Sequence, residues 1–134
     1  MLQPLLALIF WTFCIWLWMY VTRLPAMKKA GIDPVELKRS EDLEALPVSV
    51  KQIADNYNHL HEQPTVFYAL ALLTNVAGTT GAWTVGLAWA YVALRVVHSM
   101  IQCTFNYVPL RFLVFVSSSI VLIAIAILNA LALT

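Results

Sequence analysis

Charge is scarce in this sequence. Of its 134 residues only 11% are Asp, Glu, Lys or Arg, where a soluble domain carries about a quarter. The basic and acidic residues number 8 and 7, for a formal net charge of +1. No strongly basic face therefore argues for nucleic acid as a partner. Cysteine is scarcer still. Cys14 and Cys103 sit inside apolar runs, neither spaced as a metal motif nor placed as an extracellular staple, and read as small buried hydrophobes. With 4 glycines there is no glycine-rich phosphate loop, and no internal repeat, low-complexity tract or heptad pattern is present. The N-terminal stretch also lacks the basic start and the small-residue cleavage site of a signal peptide. It runs through Trp16, Trp18 and Tyr20 to Arg23 and reads as a retained helix.

What remains is apolar. Hydrophobic residues make up 61% of the chain and the mean hydropathy is +0.78. That excess needs lipid as a second apolar solvent. The predicted fold is an all-α membrane protein, a single domain whose four transmembrane helices span about 4–22, 48–77, 82–105 and 110–133. The first closes on the Trp and Tyr residues expected at a membrane interface. Residues 23–47 form the one long polar segment. Within it Asp33-Pro34-Val35-Glu36 predicts the start of a short surface helix reaching about Ser40. The second span is two-toned. Residues 48–63 are polar and 64–77 apolar, and a continuous helix would be about 45 Å long. Its polar half must therefore project into the headgroups or line a protected cavity. Pro64 at the junction predicts a kink or a locally open turn. Gly78-Thr79-Thr80-Gly81 reads as a tight uncharged turn.

The positive charges set the orientation. Arg23, Lys28, Lys29, Lys38, Arg39 and Lys51 lie between the first two spans, and Arg95 and Arg111 flank the connection between the last two. The bias of Lys and Arg toward cytoplasmic loops puts segment 23–47, the 3–4 connection and the polar half of span two on the cytoplasmic side.

Ionisable residues inside spans are costly and usually gather around a cavity or one another. Three groups stand out at one membrane depth. In "DNYNHLHEQP", Asp55, His59 and Glu62 share a helical face, and Asn58 lies beside His61 and Glu62. This reads as one wall of a polar-ligand site or as a solvated interfacial turn. In "RVVHSMIQ", Arg95, His98 and Gln102 form one stripe. Arg111 opens the fourth span, where it could also be a snorkelling anchor. Together they offer two arginines, one or two carboxylates, amides and histidines. That set suits an anionic or zwitterionic ligand, since arginine forks onto carboxylates. A metal site from His59, His61, Glu62 and His98 is a further reading. Against it, His59 and His61 point about 200° apart on a helix.

At these residues the chain resembles the MAPEG family, the membrane-associated proteins in eicosanoid and glutathione metabolism, and its small bacterial branch in particular. "NYNHLHEQPTVFYAL" is similar to the family's second-helix signature, and "ALRVVHSMIQCTFNYVPLRF" to its third, with an arginine opening helix four. The resemblance implies a homotrimer in a bacterial inner membrane, with glutathione as cosubstrate bound between subunits near the cytoplasmic face. By position, Asn56, Asn58, His59, Glu62, Arg95, His98 and Gln102 would bind the tripeptide. Arg111 would be the catalytic residue, stabilising a thiolate by charge. The implied activity is a glutathione transferase or peroxidase acting on lipophilic electrophiles. The chain departs from the eicosanoid-forming members where Gln102 and Phe115 replace tyrosines, and where Lys51 and Gln52 are the nearest polar residues to a second-helix arginine. A non-catalytic trimeric scaffold of the same fold, binding a lipid or partner, is the alternative.

Overall fold

The computed structural model describes residues 1–35, 37 and 40–133. Among these the protein is entirely helical, with five α-helices. They are α1 (Leu2–Ala30), α2 (Val48–His59), α3 (Gln63–Val76), α4 (Ala82–Cys103) and α5 (Val108–Leu133). A short 3-10 turn at Ser40–Leu43 precedes α2. Three helices, α1, α4 and α5, are long and apolar enough to cross a membrane. The α2–α3 pair supplies the fourth leg of the bundle.

The predicted second span is not one helix. Proline has no N–H, so Pro64 cannot bond the Leu60 carbonyl, and the chain leaves α2 after His59. It turns through Leu60–Glu62 and starts α3 with Pro64 in the first turn, where its fixed φ suits a helix start. The Thr65 hydroxyl and amide both donate to the Glu62 carbonyl, at 2.6 and 3.2 Å. Even so, the two pieces keep one antiparallel register on α4. Gln52 bonds the carbonyls of Cys103 and Thr104. His59 meets His98, and Phe67 stacks on Tyr91 at 4.6 Å. Each step down α2–α3 is matched by a step back along α4.

The first span is longer than its apolar run. Pro25 removes one backbone hydrogen bond, yet α1 continues to Ala30, where the left-handed Gly31 (φ 69°) stops it. Gly31 N bonds Lys28 O and Ile32 N bonds Met27 O, the paired closure that a glycine at a helix end allows. Lys28 and Lys29 lie in this last turn, where cations suit the helix dipole. No helix begins at Pro34. Asp33 accepts a bond from Val35 N at 2.9 Å, which makes a local turn. The rest of the surface helix expected there falls partly on Glu36, Lys38 and Arg39, outside the described residues.

α4 is the inner helix. Of its apolar stretch 44% is buried within the protein, against 22% for α1 and for α5, so its polar side chains point into protein. Leu8, Ile15, Phe67, Ala71, Tyr91 and Ile125 form the heart of the core. Phe10, Phe13, Val21, Ile120, Ile123 and Leu131 face outward, as lipid requires of a bundle. Cys103 is buried as expected, but Cys14 is exposed, because it lies on the outer face of α1.

Candidate functional site

The site is built on α4. Its spacing of three and four residues puts Arg95, His98, Ser99 and Gln102 on one face, and the inner position of α4 buries all four. One turn earlier, Tyr91 accepts a hydrogen bond from Arg95 Nε at 3.1 Å. The guanidinium carbon lies 5.3 Å from the Tyr91 ring centre and 5.0 Å from that of Phe115 on α5. Arg95 is only 1% exposed. Among the described residues no carboxylate is within ion-pair distance of it, and Nη2 has no hydrogen-bond partner.

The magnitudes make this arrangement incomplete. Burying an isolated cation costs several kcal/mol even after relaxation. Each ring recovers about 0.5–2 kcal/mol, and one neutral hydrogen bond to a charged group about 1.5–3 kcal/mol. The chain by itself leaves Arg95 short of negative charge. The shortfall is shared by its surroundings: Asn56 Nδ2 and Oδ1, Ser99 Oγ and Gln102 Oε1 are all buried without hydrogen-bond partners. Among the described residues the one group that reaches the Asn56 side chain is the Cys103 thiol, a weak hydrogen-bonding partner for an amide. Unpaired buried polar groups of this kind are rare in folded proteins; here most of them lie on α2 and α4, with Trp11 Nε1 of α1 and Gln63 Oε1 of α3 the others among the described residues.

His98 links this interior to the edge. Its ring stands 6.3 Å from that of His59 and 6.1 Å from that of Phe115, and it lies within electrostatic range of Arg95, Arg111 and His59. His59 Nδ1 is 3.1 Å from Glu62 Oε2. Glu62 itself is exposed, so this carboxylate stands at the open side of the cluster. Arg111 is half-buried, and its Nη1 donates to Asn106 Oδ1 at 2.7 Å. Asn106 has a left-handed backbone (φ 48°), a conformation asparagine tolerates better than most residues, and so turns the chain tightly from α4 into α5.

The residues singled out in the sequence are thus divided by the structure. It brings Asn56, His59, Arg95, His98 and Gln102 together, with Glu62 and Arg111 at the margin. Asn58 and Asp55 are exposed on the other side of α2, lining a cleft against α1 that Asn106 also borders. His61 also turns toward α1, with Nδ1 2.8 Å from the Tyr57 carbonyl, so His59 and His61 diverge. Among the described residues no group of three His, Cys, Asp or Glu could hold a metal ion. Sequence reasoning overlooked three participants. Tyr91 and Ser99 lie one turn either side of Arg95, a signal the same spacing rule carries. Phe115, noted only as a missing tyrosine, packs on both Arg95 and His98. Of the two second-helix candidates, Gln52 faces α4 and Lys51 faces the α1 cleft.

The polar cluster, the interrupted second leg and the inner α4 accord with what the two sequence signatures imply. A model of the MAPEG family matches residues 1–131. No curated protein and no solved structure matches the chain. Covering nearly the whole chain, the family match makes this protein a member of the MAPEG family, the helical membrane proteins of eicosanoid and glutathione metabolism.

Proposed function

We propose that this protein binds glutathione at the Arg95 cluster and uses its thiol against lipophilic electrophiles, as a transferase or a peroxidase. The observation that carries the reading is Arg95, a buried guanidinium with no carboxylate partner among the described residues, ringed by unpaired amide and hydroxyl groups. The donor set fits the tripeptide. Arg95 and Arg111 supply cations for two carboxylates or for a carboxylate and a thiolate. Glu62 supplies an anion for the α-ammonium. Asn56, Ser99 and Gln102 offer the groups that peptide amides need. Bound glutathione would supply a thiolate nucleophile. Arg111 is the cation assigned to hold that thiolate, since positive charge lowers a thiol pKa. His98 and Phe115 would exclude water from the buried side.

The proposed assembly is a homotrimer in a bacterial inner membrane, with segment 23–47 and the α4–α5 connection facing the cytoplasm. The excess of Lys and Arg on those connections supports that orientation. Calorimetric titration of detergent-solubilised protein with glutathione tests the reading. Saturable binding is expected, weakened in Arg95→Ala, and absence of binding up to millimolar glutathione sinks it.

One observation favours a second reading. Arg95 already touches Tyr91 and Phe115 within its own protomer, as it would in a scaffold whose polar groups hold helices together. Under that reading Arg95→Ala dissociates the oligomer, and glutathione binds neither form.

A further inference from the structure

A second polar region lies on the α1 side of α2 and adjoins the Arg95 cluster at its rim, through Gln52 and through Asn106, which accepts a hydrogen bond from Arg111. Between the end of α1, the turn before α2 and α2 itself is a cleft of about 680 Å³. Arg23 and Lys51 line it, and so do Glu44 and Asp55. Among the described residues none of these four forms an ion pair with another. Lys51 Nζ donates only to the Glu44 backbone carbonyl, at 3.1 Å. The cleft is therefore dipolar: two cations and two anions, unpaired, face one space.

Deeper along α1 a second cavity, of about 260 Å³, is walled by Ile9, Phe13, Trp16 and Tyr68, with Tyr57 and His61 at its polar edge. The two spaces share Tyr57, and they share a face of α1. Ile9, Thr12, Phe13, Trp16, Met19 and Arg23 recur at three- and four-residue spacing, within about a third of the helix circumference. From Arg23 to Ile9 this face runs about 21 Å, more than one leaflet of a hydrocarbon core about 30 Å thick. The charged end lies beyond the exposed aromatic Tyr20, at the level where interfacial aromatics mark the headgroups.

We propose that this groove between α1 and α2–α3 holds one zwitterionic phospholipid with a primary ammonium, its phosphate on Arg23 and Lys51, its ammonium on Asp55 and Glu44, and its acyl chain along Phe13, Trp16 and Tyr68. The charge pattern selects this occupant. A purely anionic headgroup would set its phosphate against the two carboxylates with no ammonium to offset them. A quaternary choline head lacks the N–H donors that a carboxylate pairs with best. The apolar wall requires a chain, which a soluble zwitterion lacks.

Native mass spectrometry of the protein in nanodiscs of equal phosphatidylethanolamine, phosphatidylcholine and phosphatidylglycerol reads the outcome. One phosphatidylethanolamine per protomer should be retained, at least fivefold over either competitor. Lys51→Glu should reduce that retention at least fivefold and Lys51→Arg should restore it. Thr12→Trp, which fills the apolar end without touching the charges, should reduce it as well. Equal retention of phosphatidylglycerol would reduce the cleft to a cation patch and overturn the proposal, as would equal retention of phosphatidylcholine. No retained lipid, or retention indifferent to all three variants, would also overturn it. Displacement of the lipid by millimolar glutathione would assign the cleft to the tripeptide instead. Calorimetric glutathione binding at the Arg95 cluster is a separate measurement, so failure of either reading is seen by itself.

Discussion

The two ends of the bundle both bury polar side chains, and they treat them differently. At the α3–α4 end, Asn129 of α5 is 2% exposed and Thr74 of α3 is fully buried, yet every group is partnered. Thr74 and Thr79 donate to Asn129 Oδ1 at 2.9 and 3.2 Å, and Asn129 Nδ2 donates to the Ile125 carbonyl at 3.0 Å. At the α4–α5 end, Asn56, Ser99, Gln102 and Arg95 are as deeply buried but keep atoms unpaired. A closed network needs nothing further and reads as helix association. An open one carries a desolvation cost of about 1–3 kcal/mol for each unsatisfied group, which a polar ligand can relieve. The contrast locates the candidate site at one end of the bundle.

The largest test of that contrast is Arg95→Leu. Removing a desolvated charge from a binding site costs about 2–5 kcal/mol, roughly thirty- to several-thousand-fold in affinity. Glutathione binding should be lost to calorimetry while circular dichroism keeps its helical signal. Unfolding of this variant would move Arg95 into the structural class and erase the distinction between the ends. Asn56→Leu sharpens it from the other side. With only the weak Cys103 thiol contact to lose, the apolar replacement should raise unfolding stability in detergent by about 1–3 kcal/mol while weakening glutathione binding. A stability loss would show that Asn56 is satisfied after all. Arg111→Ala should leave glutathione affinity within about threefold and slow turnover with a model electrophile about tenfold, roughly 1.4 kcal/mol of barrier. Unchanged turnover would take Arg111 out of the chemistry. The smallest effect belongs to the closed end. Asn129→Leu should cost about 0.6 kcal/mol of stability, the average for hydrogen bonds between membrane helices, and at most about 1.7 kcal/mol, with glutathione affinity unaltered. A loss of affinity there would mean the ends are coupled.

Much of this was legible along the chain. The α4 stripe of Arg95, His98 and Gln102 needs only the helical period, and the structure keeps all three on one buried face. Pro64 announces the interruption in the second leg, because a residue without an N–H cannot complete the α2 ladder. The polar run of α2 was another matter. It has hydrogen-bonding residues on every side, so periodicity alone could not say which side turns inward. Packing on α4 selects Gln52, Asn56 and His59, and packing beside α1 leaves Lys51, Asp55 and Asn58 on the cleft. Phe115 was equally hidden, since a phenylalanine in an apolar helix carries no mark of the cation it covers.

Hydropathy and local spacing belong to contiguous residues, and they determine that this chain makes membrane helices, where those helices break and which residues of one helix share a face. The pairing of faces belongs to the tertiary structure. His59 meets His98, Phe115 covers Arg95, and Asn129 closes one end while Asn56 stays open at the other. These outcomes depend on contacts between residues far apart in the chain, where a polar group's cost is decided by the partner that packing brings to it.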